Sequence, residues 1–307
     1  MNLYLAPMEE VTGYVFRNTV SDCFGGVDKY FTPFISPNQN KILKTREGRE
    51  LIPEHNAGKN VVPQVLTNDA DQLFGLIDVI YELGYREVNL NFGCPSNTVV
   101  KKNRGSGILR DPDYMDRFLN NVFESIEKYN GLKISVKTRI GVTDKEDTED
   151  IVRIYNRYPI CELIVHPRLQ KDFYNGEPDM ETFSYYYESM KMPVCYNGNI
   201  FNAEDYTKVV NEYPNICAVM IGRGGVMHPS LFREIKGGES ASVDELKKYH
   251  RSLFDEYCRE FGENDAVCKM KEFWTYFKVN FPDKSVKDIM KTKTAIQYKS
   301  YVTMMFT

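Results

Sequence analysis

Residues 87–112 read EVNLNFGCPSNTVVKKNRGSGILRDP, and this stretch changes character twice. Glu87 to Asn91 alternates Val and Leu with polar residues, as a short strand does. It runs into Asn91-Phe92-Gly93-Cys94-Pro95, where glycine and proline stop the strand and leave a cysteine on a turn. Lys101, Lys102 and Arg104 follow, then the flexible Gly105-Ser106-Gly107, and Asp111-Pro112 opens a helix. Cations and pliable backbone around a thiol suit an anionic substrate. A lone cysteine is ordinarily a small hydrophobe, so a chemical role for Cys94 needs support from the rest of the chain.

Working outward, the same strand-to-helix alternation recurs. Strand-like runs are expected at Leu3–Ala6, Lys29–Thr32, Asn60–Val65, Glu87–Asn91, Ile134–Lys137, Leu163–His166, Pro193–Asn197 and Ala218–Ile221. Between them, Ala70–Leu83, Tyr114–Tyr129, Glu149–Tyr158, Met180–Met190 and Ala203–Tyr213 carry apolar residues at helical spacing. The fold class is therefore α/β: a (β/α)8 TIM barrel over residues 1–237, a length close to the ~250 such barrels use. The competing open doubly wound sheet lacks a G-x-G-x-x-G after its first strand. After the Gly237-Gly238-Glu239-Ser240 linker no strand-like run remains. Residues 238–307 are expected to form a small all-helical domain of three helices, Val243–Phe261, Ala266–Val279 and Ser285–Ser300. Leu246, Leu253, Phe254, Tyr257, Phe273, Phe277, Ile289 and Ile296 are assigned to its core, and Lys271, Lys278, Lys287, Lys291 and Tyr298 to an outer face.

Composition narrows the class. The seven cysteines are odd in number, scattered and never in C-x-x-C, and the four histidines form no H-x-x-x-H, so neither a disulfide framework nor a metal is expected. No apolar run approaches a membrane span, and Met1–Pro7 lacks the basic start and apolar stretch of a signal peptide, so the expected location is the cytoplasm. A net charge of −4 argues against indiscriminate nucleic-acid coating, yet Cys268 to Thr307 holds eight lysines against three acids. That segregated basic tail points to a polyanion.

In such a barrel chemistry sits where strands end. The ends here are Ala6-Pro7-Met8-Glu9, Gln64, Asn91 with Cys94, Lys137-Thr138-Arg139, His166-Pro167-Arg168, Asn197-Gly198-Asn199 and Gly222-Arg223-Gly224-Gly225. The last two follow the seventh and eighth predicted strands, where small residues admit backbone N–H groups to phosphate oxygens. Lys137 is either a Schiff-base nucleophile or a partner for an anionic ring, and His166 either a ligand donor or a core residue.

At these positions the chain resembles the tRNA-dihydrouridine synthase family. The stretches that carry the likeness are LAPMEEVTGYVFR from Leu5, PQVL from Pro63, NLNFGCPS from Asn89, GSGILRDP from Gly105, VKTRIG from Val136, IVHPR from Ile164, YNGNI from Tyr196 and MIGRGG from Met220. Departures are Glu10 where glycine is common, Thr12-Gly13 for Thr-Asp, and His166-Pro167-Arg168-Leu169 for His-Gly-Arg-Thr. The resemblance implies FMN as cofactor and NADPH as reductant, with Ala6, Pro7 and Met8 against the flavin ring and Gln64, Lys137 and His166 bonded to it. It further implies Asn197, Gly198, Asn199, Gly222 and Arg223 on the phosphate, Asn91 holding the uracil and Cys94 as proton donor. The barrel would be catalytic and the helical domain would bind tRNA. Lys101, Lys102, Arg104, Arg139 and Arg168, with tail lysines, would grip the RNA backbone, and a monomer is expected. Three rival readings remain: a dihydroorotate dehydrogenase-like oxidoreductase for a free pyrimidine, an RNA-binding scaffold without redox function, and an aldolase using Lys137.

Overall fold

The computed structural model describes residues 1–37, 43 and 45–306. Among the described residues there are nine short parallel strands: β1 Asn2–Leu5, β2 Lys29–Phe31, β3 Val61–Val62, β4 Gln64–Val65, β5 Glu87–Phe92, β6 Lys133–Arg139, β7 Leu163–His166, β8 Val194–Tyr196 and β9 Ala218–Ile221. Their order is β3-β2-β1-β9-β8-β7-β6-β5-β4. The sheet thus begins and ends on the two halves of one expected strand. Pro63 divides it, because proline has no N–H for the ladder: Val61–Val62 pairs with β2 and Gln64–Val65 with β5. With β1 paired to β9 along its length, the eight expected strands close into a barrel at the Pro63 break.

The expected helices form with small boundary changes. Asp69, Asp111, Asp179 and Asn202 each accept a hydrogen bond from a first-turn N–H, at 3.0, 2.9, 3.0 and 2.8 Å. The helix over 112–125 starts at Pro112, as the Asp-Pro pair dictates, and ends in a 3₁₀ turn rather than running to Tyr129. Gly13 precedes the first helix with no side chain to cap it, and Glu50 fills that place by accepting from Tyr14 N–H at 3.0 Å. A Cβ at Gly13 would sit 2.9 Å from a Glu50 carboxylate oxygen, so the missing cap and the imported carboxylate go together.

Inside the barrel, Tyr4, Ala6, Phe31, Val62, Ile164, Cys195, Ala218 and Met220 pack as one apolar cluster. Below it, at the amino ends of the strands, Lys29 pairs with Glu87 and Glu162, both at 3.1 Å, and Tyr4 donates to Glu162 at 3.1 Å. This plug leaves the opposite, carboxyl end of the barrel as the open one.

The tail has four helices: Val243–Phe261, Glu263–Phe277, Asp283–Lys291 and Ala295–Met305. The expected Ser285–Ser300 helix is interrupted because Thr292 turns its hydroxyl back onto Ile289 O at 2.7 Å, while Thr294 caps the next helix on Gln297 N–H at 3.3 Å. The break resets the helical phase. Ile296, expected inside, is 81% exposed, and Tyr298, expected outside, is buried. Lys271 also turns inward and donates to Thr292 O. The tail does not keep its core to itself: Phe273 packs on Phe16 at 6.4 Å and Tyr249 on Phe24 at 5.2 Å, so barrel and tail share apolar contacts.

At the tail's centre the Tyr298 hydroxyl accepts from Trp274 Nε1 at 2.8 Å and bonds His250 Nε2 at 2.7 Å. Burial alone pulls the His250 pKa down to about 3. The unfolded chain binds a proton near pH 6.5 that the folded chain refuses, so this stability contribution is whole above 6.5 and is lost as pH falls toward 3. The site is expected to cost about 2 kcal/mol of stability at pH 5 relative to pH 7, from 1.36 kcal/mol per pH unit over that window. Thermal melts at the two pH values, with His250→Phe flattening the difference, check this.

Candidate active site

The carboxyl end of the barrel collects the predicted residues. Cys94 is half-buried on the turn after β5. Its position is set by Asn91, whose Oδ1 accepts from Gly93 N–H at 3.0 Å and Cys94 N–H at 2.8 Å. Asn91 Nδ2 donates to Gln64 Oε1, and Gln64 Nε2 to Asn89 Oδ1, both at 2.8 Å, and Asn89 Nδ2 to Ser135 at 2.9 Å. Gln64, expected to face a flavin, is a link in this amide chain, and Gln64 and Asn91 each keep one amide hydrogen for an outside acceptor. Gly105-Ser106-Gly107, read as a flexible rim, is buried. Ser106 props the Cys94 carbonyl with its N–H at 3.1 Å and its hydroxyl at 2.9 Å.

The electrostatics of the thiol differ in detail from the expectation. Burial pushes its pKa up, Glu9 pushes the same way, and Arg139 and Lys137 pull it down. The cations bearing on Cys94 are thus the ones on β6. Lys101 and Lys102 are exposed, and the Arg104 guanidinium is held by Asn68, Ser36 and Gln72 at 3.2–3.3 Å.

Lys137 lies in register between Asn91 on β5 and Ile164 on β7. Its ammonium has its pKa drawn down to about 8, by burial first and by Arg139 second. His166 is buried and neutral: desolvation and then Arg139, Lys137, Arg168 and Arg223 hold its pKa well below the usual imidazole range. Arg168 Nη1 donates to its Nε2 at 2.9 Å, which leaves the ring proton on Nδ1.

Arg139 and Arg168, expected to grip a polynucleotide, have different partners. Arg139 is 1% exposed and donates to Gly93 O, Leu169 O and Phe173 O at 3.0, 2.8 and 2.6 Å. Arg168 is 2% exposed and donates to Asn175 O, Gly176 O, His166 and Asn199 Oδ1. Both fasten the loop after β7 to its neighbours.

Asn197, Gly198 and Asn199 follow β8, and Gly222 and Arg223 follow β9. Asn197 Nδ2 ties the two strands by donating to Met220 O at 2.8 Å, and Arg223 donates to Asn199 Oδ1 at 2.9 Å. The two loops touch backbone to backbone: a Cβ on Gly224 would meet Ile200 O at 2.0 Å. Gly222 faces Ala6 and Met8, where an added Cβ would lie 3.4 and 3.7 Å from their side chains. Thr12 holds the first loop by accepting from Met8 N–H at 2.7 Å. Glu10, where the resemblance has glycine, takes a left-handed φ of 63°.

Sequence reading missed Phe173 and Tyr174. Tyr174 is 52% exposed, with its ring 5.0 and 5.5 Å from the Arg223 and Arg139 guanidinium carbons and 6.0 Å from the His166 ring. The available signal was an aromatic pair inside an otherwise polar loop following a barrel strand.

A parallel barrel whose mouth brings a protonated thiol, a neutral imidazole and four cations to one opening has the architecture of a (β/α)8 enzyme. Residues 4–299 match the family model described as Dihydrouridine synthase (Dus), and the chain belongs to that family of flavin oxidoreductases. It is 30% identical over 233 residues to tRNA-dihydrouridine synthase B of Pasteurella multocida (strain Pm70), covering 75% of this chain and 68% of the relative. It is 26% identical over 309 residues to a tRNA-dihydrouridine(16) synthase of Neisseria meningitidis serogroup A, covering 94% and 90%. Among solved structures, morphinone reductase aligns with a TM-score of 0.54 at 11% identity, over 79% of this chain and 87% of that one, a likeness of fold. Among the described residues no helix is long and apolar enough to cross a membrane, and no cluster of His, Cys, Asp and Glu could hold a metal ion.

Proposed function

We propose that this tRNA-dihydrouridine synthase is FMN-dependent, takes its electrons from NADPH, and uses Cys94 to protonate C5 of a uridine turned out of folded tRNA. The observation that carries this is the charge balance of the mouth. Lys137, Arg139, Arg168 and Arg223 converge on His166, and among the described residues none of the four forms an ion pair. That surplus positive charge fits a ligand bearing a phosphate and an electron-rich ring.

Arg223 and Asn199, with backbone N–H groups of the loops after β8 and β9, would hold the phosphate, and Lys137 would stand beside the ring. Ala6, Pro7 and Met8 would form the face it lies on, with Gly222 keeping that floor low. When bound, the flavin supplies a hydride to C6 of the base. The remaining amide hydrogen of Asn91 would meet a uracil carbonyl. Cys94, kept protonated by burial, gives its proton to C5, and Lys137 and Arg139 stabilise the thiolate left behind. Being half-buried, the thiolate is open to solvent for reprotonation. The exposed tail lysines 278, 284, 287, 291 and 293, with Lys101 and Lys102, would grip the RNA backbone as a tRNA-binding domain over residues 238–307. A monomer acting in the cytoplasm completes the reading.

The test is conversion of uridine to dihydrouridine in tRNA incubated with the protein, FMN and NADPH, followed by mass spectrometry of the digested nucleosides. Positional mapping in the same products identifies the uridine. The log of the tRNA affinity should fall linearly with the log of salt, by ~10³-fold or more between 50 and 200 mM if six or more phosphates are gripped. Undiminished reduction of free uridine or orotate after removal of residues 238–307 would favour the free-pyrimidine alternative.

A further inference from the structure

We infer that Phe173 and the Cys94–Thr98 turn form a stacking site for an unpaired RNA base next in the strand to the uridine entering the mouth, an inference that rests on the tRNA reading above. A shallow, open groove is lined by the Cys94–Thr98 turn on one side and by Phe173 and Tyr174 on the other.

Phe173 is held there against two unfavourable tendencies. Its backbone lies at φ 50° and ψ −100°, a region that bulky residues avoid. Its side chain is 37% exposed, and among the described residues its ring has no aromatic or cationic partner. The conformation is imposed by Arg139, a fully buried guanidinium that takes the Phe173 carbonyl at 2.6 Å, and by the Phe173 N–H, which donates to Gln170 O at 3.1 Å. The same guanidinium takes Gly93 O at 3.0 Å, beside Cys94, so one cation sets the distance between the thiol turn and the phenyl ring. Gln170 closes the base of the groove by donating to Pro95 O at 2.8 Å.

The occupant follows from the groove's chemistry and its continuity with the active site. A free π-face on one wall suits any nucleobase. Half-buried Ser96 and exposed Thr98, their hydroxyls 3.0 Å apart, offer oxygens to a base edge or a ribose. Lys101 and Lys102 stand exposed at the end of the following short helix, in reach of a backbone that continues past the groove. Tyr174 is already committed to Arg139, Arg223 and His166, which leaves stacking to Phe173. Phe173 would thus make the enzyme sensitive to the neighbour of its target.

The experiment compares wild type with Phe173→Ala and Phe173→Trp on tRNA and on tRNAs made abasic at one or other neighbour of the modified uridine. Phe173→Ala should lose roughly 5- to 150-fold in kcat/KM, the range a base–aromatic stack supplies. FMN affinity and flavin reduction by NADPH should stay unchanged, and Phe173→Trp should keep activity. One abasic substrate should slow wild type by a similar factor and slow Phe173→Ala no further, the non-additivity that marks a direct contact. Wild-type turnover by Phe173→Ala, or losses that multiply for both abasic tRNAs, would overturn the inference while leaving the tRNA reading intact. A wild-type protein that forms no dihydrouridine in any tRNA would overturn that reading, and this inference with it.

Discussion

Replacing Cys94 by alanine should leave a yellow, flavin-loaded protein whose flavin is still reduced by NADPH and whose formation of dihydrouridine falls by ~10²–10⁴-fold, the span of a positioned general acid. Carbon protonation needs an acid that is both protonated and close. Burial raises the thiol's pKa, so Cys94 keeps its proton through neutral pH and loses it only on the alkaline side. The wild-type rate should therefore show no acid-side dependence on this group and should decline as pH rises past the raised thiol pKa. Rapid-mixing measurement of the reductive half, set against product formation, separates the two steps. Wild-type product formation by Cys94→Ala would remove the cysteine from the mechanism.

Lys137→Met is the second large effect expected. The substitution keeps the stem and removes the charge, and loss of one preorganised electrostatic group typically costs ~10²–10³-fold in turnover. Lys137 forms no ion pair among the described residues, and with its pKa near 8 in the unliganded site it loses its charge as pH rises through that value. Flavin affinity, followed by quenching of flavin fluorescence, should accordingly weaken as pH is raised past 8 in wild type and stay flat in Lys137→Met. Folding stability should not drop with activity. The variant trades a desolvated, unpaired charge for a methionine, so its melting temperature should equal or exceed that of wild type. A variant that loses flavin affinity only because it unfolds would show the opposite.

These two side chains also mark how far single positions could be read. Cys94 stood out because glycine and proline around it forbid a strand, and Lys137 because it is a charged residue ending an apolar run. Arg139 and Arg168 looked the same to that reading and proved different. Their guanidiniums are spent on carbonyls of Gly93, Leu169, Phe173, Asn175 and Gly176. Which carbonyls lie within reach of a buried cation depends on how loops from separate strands fold over one another, and local patterning carries no record of that. The same holds for Glu50, which caps a helix starting 36 residues before it. Tyr298 and Ile296 exchanged places for a nearer cause: a threonine hydroxyl turned onto its own helix interrupts the period on which the assignment depended.

By itself the sequence determined the alternation of strands and helices, the cysteine's turn, the two glycine-rich loops after the last strands and the basic tail. Each of these follows from constraints acting within a few residues, namely side-chain period, the dihedral limits of proline and glycine, and net charge. Only the tertiary structure decided that the barrel closes at Pro63, that one buried arginine spaces the thiol from an exposed phenyl ring, and that the tail shares its core with the first barrel helix. Those depend on contacts between residues far apart in the chain, whose energies exist only once the ring of strands has brought them together.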